Sequence, residues 1–483
     1  MAYRAALLSL GCKVNSYETE RIREDMVEKG FQIVDFDEVA DVYIVNTCSV
    51  TNIADRKSRQ MLHKAKSLNP NAVIVATGCY VQTEKDKEKL NEIADILVGN
   101  NHKGGVAEAV VQYLEKKTRD YKIYEDRNPN LNEDFDDSIK TENDLLDDIS
   151  NERNVERFSI ADYPERSRAF VRIEDGCNQF CSYCIIPYAR GRVRSRSEED
   201  ILKEVVALAD RGFKEVVLTG IHISSFGFEN YEKALKPLCL NEKTHSLELE
   251  GFDGTPLVSL IKKISDVNGI ERIRLGSLEP RIITKDFVEK LKEIPSICPH
   301  FHLSLQSGCD TVLKRMNRHY SAEEFLNKCR ILREVYDNPA ITTDVIVGFP
   351  GETEEEFTLS MEMCREARFS KMHIFKFSRR KGTVADRMPG QLTEKVKHER
   401  SIRLQNLDDE MKIAYLNDFV GKEVKILVEE QTDGFALGLT ERYVQVRAEI
   451  PDLDASYINE ILYVKVEKVL PEGILFGKLQ KNT

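Results

Sequence analysis

The sequence predicts an α/β protein with three folded parts: a parallel α/β domain, a central barrel or partial barrel, and a small C-terminal β-barrel. Three observations predict this organisation. Short apolar runs alternate with helical segments over residues 1–118 and again over 167–403, and five short β-like runs occupy 418–483. The alternation is typical of parallel sheets, and the short runs of a small closed barrel. Between these parts we expect a linker over 119–166 and a connecting helix over 404–417.

The N-terminal domain contains four predicted strands, in the runs AALLSLG, VYIVNTC, AVIVATGC and ADILVGN, with helices between them. Cys12, Cys48 and Cys79 fall at the C-terminal ends of the first three strands. Because ligand sites of open parallel sheets collect at that edge, we expect these residues to converge. One such cysteine is more often an ordinary buried thiol, but three at successive strand ends indicate a three-thiolate iron–sulfur site.

A strongly acidic stretch follows the first domain. Residues 125–156 contain twelve Asp or Glu and three Lys or Arg, a local charge of −9 within a chain total of −12. Low hydrophobicity and high charge predict a disordered or loosely ordered spacer. The alternative is an acidic arm that competes with RNA for a basic cleft.

Three closely spaced cysteines, Cys177, Cys181 and Cys184, form the pattern C-x3-C-x2-C in the run GCNQFCSYC. No fourth Cys or His follows nearby, whereas structural zinc takes four protein ligands. A 4Fe–4S cluster on three cysteines leaves one iron free to bind S-adenosylmethionine (SAM), which such a cluster reduces in radical chemistry. The alternatives are an incomplete zinc knuckle and three unrelated buried thiols.

Cysteine usage and hydropathy indicate the compartment. The 11 cysteines, an odd number in 483 residues, argue against a disulfide framework and favour a reducing environment. All apolar runs are shorter than a membrane span, and the N-terminus reads as a first buried strand rather than a signal peptide. We therefore expect a cytoplasmic protein without membrane association.

Four motifs carry a resemblance to a known family. The runs SLGCKVNSYETE, NTCSVTN, ATGC and GCNQFCSYCIIPYARGRVRSR together resemble the radical-SAM methylthiotransferases. The resemblance covers the chain apart from the acidic stretch and residues 228–254. Lys13 and Val14 of LGCKVN, with IIPYARGRVRSR, are most similar to the branch that acts on threonylcarbamoyladenosine in tRNA; the other branches carry GCQMN-type or GCPKN-type first motifs. The resemblance implies a radical-SAM partial (β/α)6 barrel for 167–403 and an RNA-binding TRAM domain for 418–483.

The resemblance also implies where SAM binds, at the C-terminal ends of the barrel strands. Besides the cluster cysteines, the candidate cofactor contacts are Tyr183 for the adenine, Thr219 and Gly220 for the methionine amino group, Ser277, Glu279 and Gln306 for the ribose or carboxylate, and Gly348 in IVGFPGE for the border of the adenine site.

Basic residues around the cluster run suggest contacts with RNA phosphates. These are Arg166, Arg168, Arg172, Arg190, Arg192, Arg194 and Arg196. The C-terminal stretch is instead net acidic, with eight Lys or Arg against twelve Asp or Glu over 418–483. RNA binding there would need a local patch, for which Arg442, Tyr443 and Arg447 are the candidates.

The resulting hypothesis is a tRNA methylthiotransferase with two 4Fe–4S clusters. It would use two SAM molecules to place a methylthio group on carbon 2 of N6-threonylcarbamoyladenosine, next to the anticodon. The resemblance implies that the cluster on Cys177, Cys181 and Cys184 cleaves one SAM to a 5′-deoxyadenosyl radical. The cluster on Cys12, Cys48 and Cys79 would hold the sulfur, which the other SAM methylates.

The partners implied are the tRNA anticodon stem-loop, an electron donor such as flavodoxin or ferredoxin, and a sulfur source. Two alternatives within the same chemistry are isopentenyladenosine in tRNA and an aspartate of a ribosomal protein as the substrate. An alternative of another class is a non-catalytic RNA-binding protein whose cysteines hold zinc.

Overall fold

The computed structural model describes residues 2–127, 145–156, 160, 167–228, 252–451 and 455–480. The chain divides into two compact units. The first consists of Met1–Ile160, Asp175–Cys177 and Cys184–Arg192, and the second of Ala161–Glu174, Asn178–Tyr183 and Val193–Thr483. Arg166, Cys239 and nearly all of the segment 228–254 lie outside the described residues.

A five-stranded parallel sheet forms the centre of the first unit. Its strands are β1 (Arg4–Ser9), β2 (Gln32–Val34), β3 (Val42–Thr47), β4 (Val73–Gly78) and β5 (Ile96–Val98), in the order β2-β1-β3-β4-β5. All residues of β3 and β4 are buried, because apolar clusters cover both faces of the sheet. Strands of this kind read as continuous apolar runs, which made four of the five visible in the sequence. The exception is β2, none of whose three residues is fully buried, so it lacks a continuous apolar run.

Helices follow the strands of the first unit closely. They are α1 (Lys13–Glu28), α2 (Asn52–Leu68), α3 (Cys79–Thr83), α4 (Lys87–Asn91), α5 (Val106–Arg127) and α6 (Ile186–Arg190). The N-cap of α1 is Cys12, and α3 begins at Cys79. Two of the predicted ligands therefore lie at strand-to-helix junctions. The domain boundary predicted at residue 118 falls inside α5.

The last twelve residues of the acidic stretch, 145–156, contact the sheet and its surroundings. The N–H of Leu145 donates to Leu97 O at 3.0 Å, and its carbonyl accepts from Gly99 N–H at 2.7 Å. The side chain of Ile149 is buried, and its carbonyl lies where any side chain at Gly191 would have to go. The prediction of a loosely ordered spacer is therefore wrong for residues 145–156, because a few apolar residues and backbone hydrogen bonds at the sheet edge outweigh the local charge. The remainder, 128–144, lies outside the described residues.

Parallel strands also form the centre of the second unit. The strands of this central region of the chain are β6 (Arg168–Arg172), β7 (Glu174–Asp175), β8 (Arg194–Ser195), β9 (Glu215–Thr219), β10 (Arg272–Leu275), β11 (Ser277–Leu278), β12 (His300–Gln306), β13 (Ala340–Val347) and β14 (Lys371–Lys376). The sheet orders are β10-β9-β6 and β11-β12-β13-β14, all parallel. Only Gly276 separates β10 from β11, so six strand positions follow one another as expected for a partial (β/α)6 barrel.

The helices of the second unit connect these strands. They are α7 (Glu198–Asp210), α8 (Thr255–Ser265), α9 (Lys285–Lys292), α10 (Asp310–Arg315), α11 (Ala322–Val335), α12 (Glu354–Ala367) and α13 (Glu394–Asn417). Capping boxes begin α11, with Ser321 and Glu324, and α12, with Thr353 and Glu356. The predicted connecting helix begins earlier than residue 404, because Thr393 caps α13 by accepting the Val396 N–H.

The C-terminal strands close into a five-stranded barrel, as predicted. They are β15 (Glu423–Thr432), β16 (Phe435–Thr440), β17 (Gln445–Glu449), β18 (Ile461–Val469) and β19 (Leu475–Leu479), in the order β15-β16-β17-β19-β18. Alternating side chains of these strands fill its core. Closure leaves no free sheet edge.

Arginines of the central strands hold this small barrel in place. Arg274 donates to the carbonyls of Glu441 and Thr440 at 3.0 and 3.2 Å, and Arg272 donates to the carbonyls of Leu439 and Lys425. These contacts close the N-terminal end of the central strands.

Two of the three residues of the predicted RNA patch have contacts within the protein, and their role in RNA binding stays a prediction. Arg442 is occupied by the carbonyls of Asn338 and Asp337, at 2.9 and 2.8 Å. The ring of Tyr443 has the Arg274 guanidinium 4.7 Å from its centroid and also contacts His300. Both side chains join the small barrel to the central strands. Arg447 packs on Phe435 within the barrel and stays a prediction.

No helix in the described ranges has the combination of length and apolar composition that spanning a bilayer requires.

Candidate functional site

Cys12, Cys48 and Cys79 lie at one edge of the first sheet. They follow β1, β3 and β4, which are neighbours in the sheet, and the residues before Cys48 and Cys79 are paired partners in the ladder. Burial raises the pKa of the Cys48 thiol to about 12, and the nearby Cys79 adds to this increase. Desolvation by the surrounding protein also raises the pKa of Cys12, which keeps one side exposed, whereas Arg190 lowers it. The three thiols therefore interact electrostatically, as expected for side chains that lie close together.

A glycine with positive φ precedes three of the six predicted cluster cysteines. These are Gly11, Gly78 and Gly176, with φ of +104°, +101° and +84°. A Cβ on Gly11 would lie 2.5 Å from Cys48 Sγ, and one on Gly78 would lie 2.7 Å from Thr47 N and closer still to its carbonyl oxygen. A Cβ on Gly176 would overlap the carbonyl of Arg192. Only glycine fits these junctions, and at Gly11 the space it leaves lies beside the Cys48 thiol.

Side-chain amides and a hydroxyl hold the first cysteine set in place. Asn15 donates to the carbonyls of Leu10 and Thr47, at 2.7 and 2.9 Å, and so ties the ends of β1 and β3 together. Ser58 of α2 accepts the Cys48 N–H at 3.2 Å. Asn100 is buried, and its Nδ2 donates to Ala189 O at 2.7 Å and points at Cys79 Sγ at 3.5 Å. Hydrogen bonds of this kind tune thiolate ligands.

A buried ionic network lies beneath these residues. Arg190 Nη1 is 2.8 Å from Glu18 and 3.1 Å from Asp175, and Lys103 contacts the same Glu18. Burial opposes the charge of Arg190, but Glu18 and Asp175 raise its pKa well above the ordinary value. Two cations and two carboxylates satisfy each other, as buried charges require.

Burial contradicts the prediction that the arginines around the cluster run bind RNA phosphates, for four of these arginines. Arg172, Arg190, Arg194 and Arg196 are all buried. Arg196 donates to Arg172 O at 2.7 Å and is paired with Glu204 at 2.6 Å. Sequence alone shows charge but not burial, and these side chains serve the fold. Arg168 and Arg192 are more accessible and stay a prediction.

The cysteines of the second set are anchored separately. Cys177 donates its N–H to Gly191 O at 3.1 Å. Cys181 is buried, and its Sγ is 3.3 Å from Nη1 of Arg318. A guanidinium N–H at this distance makes a charge-assisted hydrogen bond, strongest to a thiolate. Arg318 is itself held by Ser304 O at 3.0 Å and Tyr320 Oη at 2.9 Å.

The predicted cofactor contacts come together at the C-terminal edge of the central strands. Thr219 ends β9, Ser277 is in β11 with Glu279 following it, Gln306 ends β12, and Gly348 follows β13. Tyr183 packs beside Met316 and Phe349 at that end of the second unit. The shared edge is what the sequence predicted; their contacts with SAM stay a prediction.

Several of these residues have constrained backbones. Gln306 adopts φ of +70°, rare for a residue with a side chain and typical of strained functional loops. A Cβ at Gly220 would lie 2.7 Å from Glu174 Oε2, and Gly348 donates its N–H to Glu352 at 2.8 Å. Glu279 is committed to Arg281 at 2.9 Å.

Sequence reasoning missed Asn100, Arg318 and His222. The pKa of His222 is lowered to about 4 by burial, with Glu279 opposing the shift, so its ring is neutral at ordinary pH. Its Nδ1 is 2.6 Å from Ser225 Oγ. No spacing rule connects these residues to distant cysteines. The visible signal in the sequence is the Gly-Cys pair repeated at Cys12, Cys79 and Cys177, which marks the cysteine sites themselves.

The thiol sets fit iron–sulfur clusters better than zinc. Across the described ranges no three His, Cys, Asp or Glu side chains are arranged to hold a single metal ion. Each set supplies three sulfurs, whereas structural zinc needs four ligands. The first set has glycine-lined space and an amide directed at one sulfur, and Cys181 of the second has a guanidinium directed at its sulfur. Hydrogen bonds to sulfur are a known means of tuning iron–sulfur clusters.

Two family profiles match the chain. The profile described as "Radical SAM superfamily" matches residues 171–364, and the one described as "Uncharacterized protein family UPF0004" matches residues 4–99. The first covers the central strands from the end of β6 to β13, and the second covers the sheet that carries Cys12, Cys48 and Cys79.

Curated proteins match over nearly the whole length. The threonylcarbamoyladenosine tRNA methylthiotransferase MtaB of Bacillus subtilis is 37% identical over 446 residues, 91% of this chain and 89% of the relative. The protein of the same name from Aquifex aeolicus is 36% identical over 92% of this chain and 97% of the relative. The tRNA-2-methylthio-N(6)-dimethylallyladenosine synthase of Thermodesulfovibrio yellowstonii is 33% identical over 95% of both chains.

Among solved structures, the radical SAM methyltransferase TsrM from Kitasatospora setae, with cobalamin and a 4Fe–4S cluster bound, is similar in fold. The TM-score is 0.52 at 14% identity, over 80% of this chain and 77% of that one. At this identity the likeness concerns the fold alone.

Proposed function

Because this chain belongs to the radical-SAM methylthiotransferase family, we propose that it replaces the hydrogen on carbon 2 of N6-threonylcarbamoyladenosine in tRNA with a methylthio group. The target base lies next to the anticodon. The observation that carries the proposal is the pair of three-cysteine sets. A radical enzyme that only abstracts hydrogen needs one set of three cysteines. The additional set of Cys12, Cys48 and Cys79, at the edge of a separate sheet, therefore supports a role in holding sulfur.

The proposed cofactors are two 4Fe–4S clusters and two SAM molecules. When bound, they supply the electron that cleaves SAM, the sulfur to be inserted and the methyl group. Cys177, Cys181 and Cys184 would ligate one cluster, and Cys12, Cys48 and Cys79 the other. An aromatic C–H bond is unreactive toward acid–base or nucleophilic attack at neutral pH, which is why this chemistry needs a radical.

The protein's own residues would bind the clusters, orient the cysteine ligands and tune the charge around their sulfurs. Gly11 keeps open the space beside the Cys48 thiol, and Asn100 directs an N–H at Cys79. Arg318 places a positive charge at Cys181. The target adenosine must leave its stack to reach carbon 2, at a cost of roughly a few kcal/mol that RNA contacts have to offset.

The choice of substrate within the family rests on two observations. Relatives named for threonylcarbamoyladenosine reach 37% identity, and a relative named for dimethylallyladenosine reaches 33%. The first motif, with Lys13 and Val14, agrees with the former branch. Isopentenyladenosine and a ribosomal-protein aspartate are the alternative substrates.

Mass spectrometry of tRNA nucleosides tests the proposal. A deletion strain should lack 2-methylthio-N6-threonylcarbamoyladenosine and keep its unmodified precursor. The wild-type gene and a Cys329→Ala control, altered at a thiol outside both sets, should restore the product, whereas Cys181→Ala should not. An intact product in the deletion strain, or loss of the isopentenyl derivative instead, would refute the substrate assignment.

A further inference from the structure

Three adjacent strands of the central region have two distinct faces. On the outer face, the Phe301 ring of β12 contacts the Tyr336 ring beyond α11, with the centroids 5.1 Å apart, and Met372 of β14 is buried with its N–H bonded to Asp408 of α13. On the inner face, the alternate residues are partly accessible in the middle of β12 and the C-terminal half of β13 and exposed on β14, whereas Thr342 and both ends of β12 are buried. Since outer residues pack on helices, the accessible ones line the barrel interior.

A polar row crosses this inner face. His302 of β12 is 2.9 Å through Nδ1 from Thr342 Oγ1 and 3.3 Å through Nε2 from Asp344 Oδ2, both on β13. Asp344 is the register partner of His373 on β14, and the His302 and His373 rings are 5.7 Å apart. Two imidazoles and a carboxylate therefore stand side by side in an accessible interior. None of them has a role in the chemistry proposed above.

Three exposed side chains with different chemistry lie along one face of β14. Lys371, His373 and Phe375 alternate with less exposed residues and are all exposed, the Phe375 ring by 46%. Successive members lie on one face about 6.6 Å apart, at two residues per repeat. The order along the strand is an ammonium, an imidazole and an aromatic ring, with the ring nearest the cofactor edge.

We propose that this face is the subsite for the N6 side chain of the substrate, which deepens and rests on the proposed function. Phe375 stacks on the flipped purine, as aromatic side chains do for unstacked bases. His373 and Lys371 bind the carboxylate of the threonyl group. Asp344, oriented by His302, accepts hydrogen bonds from the threonyl hydroxyl or the carbamoyl N–H.

Substrate chemistry explains why these residue types suit the position. The threonylcarbamoyl substituent carries a carboxylate, a hydroxyl and N–H donors in a line, whereas an isopentenyl group has none of them. Placing an alkyl chain against Lys371, His373 and Asp344 would desolvate them without replacing their hydrogen bonds. Sites built to hydrogen-bond a substrate reject analogues that lack the partner groups far more strongly than apolar pockets reject polar ones. The face therefore determines specificity.

The test uses the anaerobically reconstituted full-length enzyme and two anticodon stem-loop RNAs, one with threonylcarbamoyladenosine and one with isopentenyladenosine. We expect His373→Leu and Lys371→Met each to lower kcat/KM for the first RNA by about tenfold to a hundredfold, mainly through KM, because each removes one charge-assisted contact. Preference for the first RNA over the second should shrink in parallel. Lys371→Arg should keep most of the wild-type kcat/KM for the first RNA, because it retains the positive charge.

Matched controls separate a binding role from a structural one. His398→Leu and Lys395→Met change exposed residues of α13, and both should behave as wild type. Formation of 5′-deoxyadenosine without RNA should be unchanged in all variants. If the His373 and Lys371 variants keep wild-type KM and preference while the wild type modifies the first RNA, the subsite is refuted and the proposed function stands. A wild type that modifies only the second RNA refutes both.

Discussion

At the scale of single residues, the cysteine sulfurs are controlled by donors far away in sequence. Asn100 is neutral and approaches Cys79, whereas Arg318 is charged and approaches Cys181. A cation beside a cluster favours the more negative, reduced form, and a neutral amide does so less. The sulfurs of Cys79 and Cys181 therefore have donors of different charge, and the first set has its cation, the buried Arg190, near Cys12 instead.

Replacing Arg318 tests this difference. We expect Arg318→Met to lower the midpoint potential of the SAM-binding cluster, because its reduced form loses a charge-assisted hydrogen bond. An anaerobic redox titration followed by electron paramagnetic resonance measures the shift. Arg315→Met is the matched control, since Arg315 pairs with Glu356 rather than with a sulfur. An unchanged potential in Arg318→Met with full iron content would contradict the role.

Buried His222 makes stability depend on pH. Its folded-state pKa of about 4 lies below the ordinary value of 6.5, so the unfolded chain binds the proton first as pH falls. Its contribution to the free energy of unfolding is complete above pH 6.5 and lost progressively down to about pH 4, for a total of about 3 kcal/mol. Urea unfolding of wild type and His222→Gln between pH 7.5 and 5.5 should give a flatter profile for the variant. The exposed-residue control His63→Gln should follow wild type; equal slopes for all three would count against this assignment.

At the scale of elements, the strand-to-helix junctions create the first cysteine set. Gly78 has φ of 101° and ψ of −169°, a region almost restricted to glycine, and it touches the end of β3. The junction turns the chain at once from β4 into α3, which starts at Cys79. Thr51 caps the start of α2, and Asn15 donates a hydrogen bond to the end of β3. These contacts fix the neighbouring junctions.

The glycine before Cys79 provides a prediction with an internal control. Gly78→Ala should cost roughly 1–3 kcal/mol for the backbone alone, and more for the overlap with Thr47, and should lower iron bound at the first set. Gly30→Ala has a similar φ of +87° but nothing within 4 Å of the added Cβ, so it should keep its iron. Unfolding midpoints and iron per chain are the measurements. Equal iron content in both variants would argue against the junction as the cause.

At the scale of the whole molecule, the proposed function requires two cysteine sets to serve one reaction. Cys12, Cys48 and Cys79 belong to the first unit, as do Cys177 and Cys184, whereas Cys181 belongs to the second. The side chains that contact the sulfurs nevertheless differ, with Asn100 at Cys79 and Arg318 at Cys181. We therefore expect that loss of one set leaves the other able to bind iron.

Iron analysis tests this independence. Anaerobically reconstituted wild type should hold about eight irons per chain, and the Cys177→Ala, Cys181→Ala, Cys184→Ala triple variant about four, without the SAM-sensitive resonance signal. The triple variant at Cys12, Cys48 and Cys79 should also hold about four, but keep that signal and the ability to cleave SAM. A wild type with about four irons per chain and a Cys177, Cys181 and Cys184 variant with none would leave Cys12, Cys48 and Cys79 as ordinary thiols.

The sequence by itself determined the class of the fold and the cysteine sets. Buried parallel strands require continuous apolar runs, so β1, β3, β4 and the central strands were visible, and parallel order brought their ends to one edge. Local spacing likewise marked Cys177, Cys181 and Cys184. These features depend on neighbours along the chain, which a sequence records directly.

Only the tertiary structure decided which polar residues serve the fold and which face the interior. Arg190 and Arg196 looked like phosphate ligands but are buried ion-pair partners. Asn100, Arg318, His302 and His373 gained their significance from strands and loops that are distant in sequence. Burial and partner identity follow from contacts across the fold, and a pattern of residue types along one chain does not contain them.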